Sequence, residues 1–184
     1  DDADVIRRVK GVDKVAERMI QISRVTFKDE SKFLNFGSVT TDDTRELVME
    51  VIDMDVAEGR QLSKTDRYKV FIGADFAEKG KVFEKRVRVG DTLLVRGREL
   101  DVVGIAETTG SVFGNNLLLM NDFAMEDLFD TDEINIIAVQ VQKGEDIEDV
   151  AADVEKALRK YRDVELGQED FSVQTPVQTA ESYL

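Results

Sequence analysis

The order of the predicted elements indicates an α+β fold, in which an α/β subdomain is interrupted by a β-rich insertion. Three observations lead to this prediction. The first third of the chain predicts helix, strand, strand and helix, the middle is dense in short strands, and the end predicts strand, helix and strand. Since the chain has 184 residues, of which 42% are hydrophobic, we expect one domain or two small subdomains with a packed core.

The first elements are predicted from apolar periodicity and from stop signals. Residues 2–10 predict a short helix, because the apolar side chains share one face and Gly11 follows as a stop. Residues 15–28 alternate like a strand whose phase slips by one residue, which predicts a β-bulge near Ser23. Residues 33–40 are expected to pair back on this strand as a hairpin.

The middle of the chain predicts short elements separated by turns. The interval between the strands near residues 96 and 99 is short enough for a tight hairpin. In order, we predict a helix at 44–55, a strand at 68–73, a short helix at 74–79, strands at 83–89, 92–96, 99–107 and 117–120, and a helix at 122–130.

The last third predicts a β-α-β unit. Residues 134–142 alternate as a strand, and Asp146 is expected to cap the helix that follows. Residues 171–175 predict a final strand that Pro176 ends. The apolar stripe of the helix is expected to consist of Ile147, Val150, Val154, Leu158 and Tyr161.

Composition excludes several classes of function. The chain has 25 basic and 39 acidic residues, and its net charge of −14 disfavours nucleic acid and anionic lipid as partners. It has neither histidine nor cysteine, so Ser-His-Asp and Cys-His catalysis cannot operate. The pattern predicts no catalytic residue, no cofactor and no resident metal.

A glycine-rich loop at residues 108–116 is the one segment that we single out for partner contact. Loops of this kind can hold phosphate before a helix, but no Lys-Ser or Lys-Thr pair follows, and the next element is predicted to be a strand. An exposed loop or hairpin tip is therefore favoured. The candidate contact residues are Gly110, Ser111, Phe113, Gly114, Asn115 and Asn116.

The acidic residues are weaker candidates for a metal site or a catalytic site. An acidic cluster at residues 122–133 could bind calcium, but the twelve-residue loop with a central glycine and a terminal glutamate is missing, so a solvated surface is favoured. Neighbouring carboxylates point to opposite faces of a strand, so the adjacent pairs are not catalytic dyads. The cluster consists of Asp122, Glu126, Asp127, Asp130, Asp132 and Glu133, and the adjacent pairs are Asp29-Glu30, Asp42-Asp43 and Glu169-Asp170.

Several segments, taken in order, resemble the MacB-like periplasmic core domain of FtsX-like ABC transporter permeases. None is specific alone, but their order and spacing cover nearly the whole chain. The segments are Gly11-Val12 after the opening helix, Glu58-Gly59-Arg60-Gln61-Leu62-Ser63 followed by Asp66, then Val70-Phe71-Ile72-Gly73, Gly90-Asp91-Thr92-Leu93, Val102-Val103-Gly104-Ile105, Gly110-Ser111, Met120, Leu128-Phe129, residues 139–141, the helix from Asp146, and residues 171–178.

The resemblance implies a porter-like α/β subdomain formed by residues 1–62 and 133–184, with residues 63–132 as the inserted β-rich subdomain. It implies a non-catalytic domain on the extracytoplasmic side of the cell membrane, between the first two of four transmembrane helices. A cytoplasmic ABC ATPase and a second permease copy are the implied partners. The domain would relay ATP-driven motion to export or extract a peptide, an amphipathic drug or a lipoprotein.

Two other classes of function stay open. One is a secreted or surface-exposed binding module that is not part of a transporter, and the other is a soluble enzyme that uses Lys, Asp, Glu or Ser. The chain begins at Asp1 without methionine, so we expect it to be a piece of a longer protein. The permease hypothesis predicts about 20 apolar residues beyond each end, and both alternatives predict none.

Overall fold

The α+β fold is confirmed in a computed structural model that describes residues 1–181, apart from the side chains of Val112, Ala180 and Glu181. The last three residues of the predicted 133–184 subdomain lie outside the described residues. In chain order the elements are α1 (Asp2–Arg7), β1 (Val12–Arg18), β2 (Ile20–Phe27), β3 (Glu30–Val39), α2 (Arg45–Ile52), β4 (Val56–Gly59), β5 (Lys69–Ile72), a 3₁₀ turn (Ala74–Ala77), β6 (Thr92–Val95), β7 (Arg98–Ala106), α3 (Val112–Asn115), β8 (Leu118–Asn121), α4 (Asp122–Phe129), β9 (Ile136–Val141), α5 (Ile147–Arg162) and α6 (Pro176–Glu181).

The chain folds into two compact units. Unit 1 consists of Asp1–Ala16 and Ile137–Leu184, and unit 2 of Glu17–Ile136. These bounds differ from the predicted division near residues 62 and 132, because β2 and β3 belong to the same sheet as β5 to β8. The porter-like and inserted subdomains stay a prediction.

Unit 1 packs α1 and α5 over a two-stranded sheet of β1 and β9. As predicted, Asp146 caps α5, because its Oδ1 accepts a hydrogen bond from the backbone N–H of Asp149 at 3.1 Å. The predicted stripe is narrower than expected, since Ile147 and Tyr161 are about half exposed. The buried core of the unit consists of Ala3, Ile6, Val12, Val15, Val150, Val154 and Leu158.

Unit 2 is built on a sheet that closes on itself. Strand β7 pairs with β5 along one edge, and its other edge pairs first with β6 and then with β4. Because β6 also pairs with β2, the strands β7-β5-β8-β3-β2-β6 form a ring around one apolar core. The predicted hairpin of β6 and β7 is confirmed, and its turn residues Arg96 and Gly97 both have positive φ, as a type I′ turn requires.

The predicted long strand at residues 15–28 with a bulge near Ser23 is wrong. The strand breaks at Met19 into β1 and β2, and β2 pairs with β3 in unbroken register from Ile20 to Phe27. The apparent shift in the apolar alternation has another cause. Ile22 lies on the solvent face of β2 and is 68% exposed, whereas Val25 and Phe27 lie on the buried face.

The strand predicted at residues 83–89 is not formed. This segment is irregular, and it supplies core side chains while the backbone N–H of Val87 donates to the carbonyl of Phe76 at 2.8 Å. Strand β4 was missed, because all four of its residues are exposed and carry no burial pattern.

The final strand predicted at residues 171–175 is also wrong, so the described residues do not complete the predicted β-α-β unit. Pro176 starts helix α6 instead of ending a strand, since a proline at the first helical position gives up no hydrogen bond. Thr175 and Gln178 form a reciprocal capping box, in which each backbone N–H donates to the other side chain.

Candidate functional site

The predicted contact loop is a small ordered structure, and Asn115 holds it together. The buried Asn115 amide accepts from the backbone N–H of Thr109 at 2.8 Å and donates to the Thr109 carbonyl at 3.1 Å. Ser111 caps α3, because its Oγ accepts from the backbone N–H of Gly114 at 3.2 Å. Hydrogen bonds among its own polar groups therefore stabilise the loop.

The six predicted contact residues divide into two groups. Asn115 is buried, and Gly114 and Asn116 are half-buried within the frame of the loop. Gly110, Ser111 and Phe113 are exposed, and 43% of the Phe113 surface faces solvent. A partner would therefore meet the second group, and the contact role of the loop stays a prediction.

Gly73 lets the loop sit close against the end of β5. The backbone N–H of Gly73 donates to the carbonyl of Leu117 at 2.9 Å. A Cβ at Gly73 would lie 2.3 Å from the carbonyl oxygen of Asn115, which is shorter than the van der Waals contact distance.

The segment from Arg60 to Asp66, which sequence analysis singled out by resemblance, forms a polar junction around the buried Asp66 carboxylate. Arg60 donates to Asp66 from Nη1 at 2.8 Å and from Nη2 at 3.2 Å, and the backbone N–H of Ser63 donates to the same carboxylate at 2.9 Å. Hydrogen bonding from Arg60 is the main reason why the pKa of Asp66 falls to about 2.

Two residues that sequence analysis did not single out complete this junction. Arg45 donates to the carbonyls of Thr40 at 2.9 Å and Leu62 at 2.7 Å, and to Oδ1 of Asn121 at 3.0 Å. The buried Asn121 amide in turn donates to the carbonyls of Ser63 and Asp66, both at 2.8 Å. The junction thus fixes the segment 60–66 between α2 and β8, which is a structural role.

A groove between α2 and β4 was also missed by sequence analysis. We call it the α2–β4 groove; its volume is about 380 Å³. Its lining combines apolar and acidic side chains, and helix and strand periodicity could not show that these two elements meet. The lining residues are Glu46, Met49, Glu50, Asp53, Met54, Asp55, Val56 and Gln61.

The acidic cluster at residues 122–133 is spread over a helix and its following turn. Asp122 accepts from the backbone N–H and the hydroxyl of Thr41, at 3.1 and 2.9 Å, and Asp127 accepts from Tyr68. Burial, followed by repulsion from Asp122 and Asp132, raises the pKa of Glu126. Among the described residues, no three acidic side chains converge closely enough to hold a metal ion.

No helix within the described part of the chain is long and apolar enough to cross a membrane. The longest, α5, has 16 residues and carries charges along its exposed side.

The chain matches a family model over residues 1–157, and the family is described as the MacB-like periplasmic core domain. A curated relative, the ABC transporter permease MJ1507 of Methanocaldococcus jannaschii, is 33% identical over 178 residues. This match covers 96% of the present chain but only 43% of the relative, so the chain spans less than half the length of that permease.

Two solved structures share the fold. The extracellular domain of the noncanonic ABC-type transporter YknZ from Gram-positive bacteria has a TM-score of 0.66 and 18% identity, and the match covers 95% of this chain and 87% of that one. The periplasmic region of MacB from Actinobacillus actinomycetemcomitans has a TM-score of 0.68 and 14% identity, and the match covers 99% and 80% of the two chains.

Proposed function

Because the chain belongs to the family of MacB-like periplasmic core domains, we propose that it is the extracytoplasmic domain of an ABC transporter permease in the cell membrane. In this proposal the domain has no catalytic residue. The family match carries the proposal, and the similarity in fold to the extracellular domain of the ABC-type transporter YknZ and to the periplasmic region of MacB supports it.

The proposed partners are a cytoplasmic ABC ATPase and a second copy of the permease. ATP-driven closure of the ATPase would move the membrane helices, and these would move the domain as a rigid body. The outcome would be export or extraction of a peptide, an amphipathic drug or a lipoprotein.

The construction of unit 1 supports this relay. Helix α1 packs against α5, and Arg162 near the end of α5 donates to Asp2 in α1, with a distance of 3.2 Å between Nε and Oδ1. Arg162 also pairs with Asp170 at 2.7 Å. The first helix and the segment after α5 are thus fixed in one unit, so a displacement applied at either would be transmitted to the other.

Location is tested on the native protein in its source cells, by membrane fractionation followed by protease added from outside. We expect an antibody against this domain to detect a membrane-bound band well above 20.7 kDa that is lost on external digestion. A cytoplasmic marker protein must remain intact as the control. A soluble band near 20.7 kDa would overturn the proposal and support the binding module instead.

The relay needs a second experiment on the full permease reconstituted with its ATPase. A spin label at Glu165→Cys, an exposed position in unit 1, reports the distance between the two permease copies. We expect this distance to change when ATP is trapped with vanadate and to stay constant in an ATPase-inactive variant. If the distance in the active transporter is the same before and after ATP is trapped with vanadate, the relay is contradicted.

A further inference from the structure

The α2–β4 groove has an apolar floor. Met54 is buried, Met49 is half-buried, and Val56 is 40% exposed at the rim. Methionine side chains are flexible and polarizable, so a floor of this kind adapts to apolar side chains of different shapes.

The walls of the groove carry four exposed carboxylates. Glu46 and Glu50 lie one turn apart on α2, while Asp53 and Asp55 lie on the segment that leads into β4. Within the described residues, none of the four is paired with a lysine or an arginine, and no three acidic groups gather around a common point. Their negative charge is therefore distributed along the groove, which suits several separated positive charges better than a single ion.

Strand β4 contributes Val56 to the groove and has one edge that is not paired with another described strand. It pairs with β7 from Val56 to Gly59, with a bulge before Glu58, and residues 1–181 provide no second strand partner for it in the sheet. An exposed edge of this kind can accept an extended peptide, while pockets beside it receive alternate side chains.

We propose that the α2–β4 groove binds an extended peptide segment in which lysine or arginine alternates with apolar side chains. The apolar side chains would contact the methionine floor, and the basic side chains would meet the four carboxylates. The net charge of −14 would steer such a peptide toward the domain. As a statement about cargo, this inference rests on the proposed transport function.

Binding is tested with the 184-residue chain and a fluorescein-labelled decapeptide of alternating lysine and leucine. Fluorescence anisotropy of the peptide measures binding at low ionic strength. NMR of the methionine methyl groups shows which part of the protein the peptide contacts. We expect saturable binding that shifts the methyl signals of Met49 and Met54, whereas those of Met120 and Met125, which are buried in the ring of unit 2, stay unchanged.

Two triple variants distinguish binding at the groove from a general effect of the net negative charge. The groove variant is Glu46→Gln, Glu50→Gln and Asp53→Asn, and the control is Glu99→Gln, Glu133→Gln and Glu165→Gln. Both remove three negative charges, and all six side chains are exposed. We expect the groove variant to weaken binding by about tenfold and the control by about twofold or less. Equal weakening would show that binding is only an effect of net charge and would overturn the proposal.

Two further peptides complete the test. A lysine-serine decapeptide should bind much more weakly, because it lacks the apolar side chains, and a glutamate-leucine decapeptide should not bind. If the acidic peptide binds equally well, the groove does not select for positive charge. Absence of all peptide binding overturns this inference and leaves the proposed membrane location intact, whereas a soluble native protein would overturn that location whatever the peptide does.

Discussion

Arg60 and Asp66 form a two-point ion pair, with distances of 2.8 Å from Nη1 to Oδ2 and 3.2 Å from Nη2 to Oδ1. The Asp66 side chain is only 5% exposed, whereas the Arg60 side chain is 48% exposed. The buried carboxylate therefore depends on a partner that reaches in from the surface, with Lys69 at 3.6 Å as a second cation. The pair joins the two ends of the segment 60–66 and so holds the segment in its folded conformation.

We expect Asp66→Ala to lower the free energy of unfolding by about 2 kcal/mol, because it removes the buried carboxylate to which Arg60 and the backbone N–H of Ser63 donate. Urea unfolding measures this loss. The matched control is Asp43→Ala, an exposed aspartate, for which we expect a change within about 0.5 kcal/mol. Similar losses in both variants would contradict a special role for Asp66.

The stability of the chain should depend on pH through Asp66. Its pKa falls from 3.8 to about 2 on folding, so the unfolded chain binds the proton more tightly. The stabilisation is complete above pH 3.8 and is lost as the pH falls through 2. We expect a loss of about 2 kcal/mol over this window that is missing in Asp66→Asn. Parallel pH profiles of the two proteins in urea unfolding would refute this linkage.

Gly73→Ala should destabilise the contact loop. The added Cβ would lie 2.3 Å from the carbonyl oxygen of Asn115, and the obstruction is backbone that cannot swing aside. We expect a loss of about 2 kcal/mol or more in thermal or urea unfolding. Amide exchange of Thr109, whose N–H is bonded to Asn115, should also become faster.

The control for this variant lies in the same loop. A Cβ at Gly110 would meet nothing within 4 Å, so Gly110→Ala should change stability by no more than about 0.5 kcal/mol. If both variants behave alike, close contact at Gly73 is not what limits the loop.

Elements with strong local signals were predictable from the sequence. Helix α5 has a capping aspartate and apolar spacings of three and four, and the β6–β7 hairpin has a glycine where the turn needs positive φ. The segments that failed lack such signals or carry misleading ones. The apolar residues near Val87 fill the core from an irregular chain, and the apolar alternation before Pro176 continues into a capping box and not into a strand.

The site was less predictable than the fold. Arg60 and Asp66 stood out only through resemblance, and their supporting residues Arg45 and Asn121 meet across 76 positions of the chain. The α2–β4 groove likewise depends on the pairing of an exposed strand that no pattern indicates. Contacts of this kind are set by the packing of whole elements, and short-range periodicity carries no information about them.

The ion pair between Arg162 and Asp2 should couple α1 to α5 energetically. Their side chains are 30% and 26% exposed, so water screens the pair less than a fully exposed one. In a double-mutant cycle of Arg162→Ala and Asp2→Ala, measured by urea unfolding, we expect a coupling energy of about 1 kcal/mol. The comparison cycle is Arg7→Ala with Asp4→Ala, a pair at 2.9 Å whose side chains are 44% and 54% exposed. That pair should couple by less than about 0.5 kcal/mol. A coupling energy near zero for Arg162 and Asp2 would mean that α1 is held to α5 by its apolar residues alone.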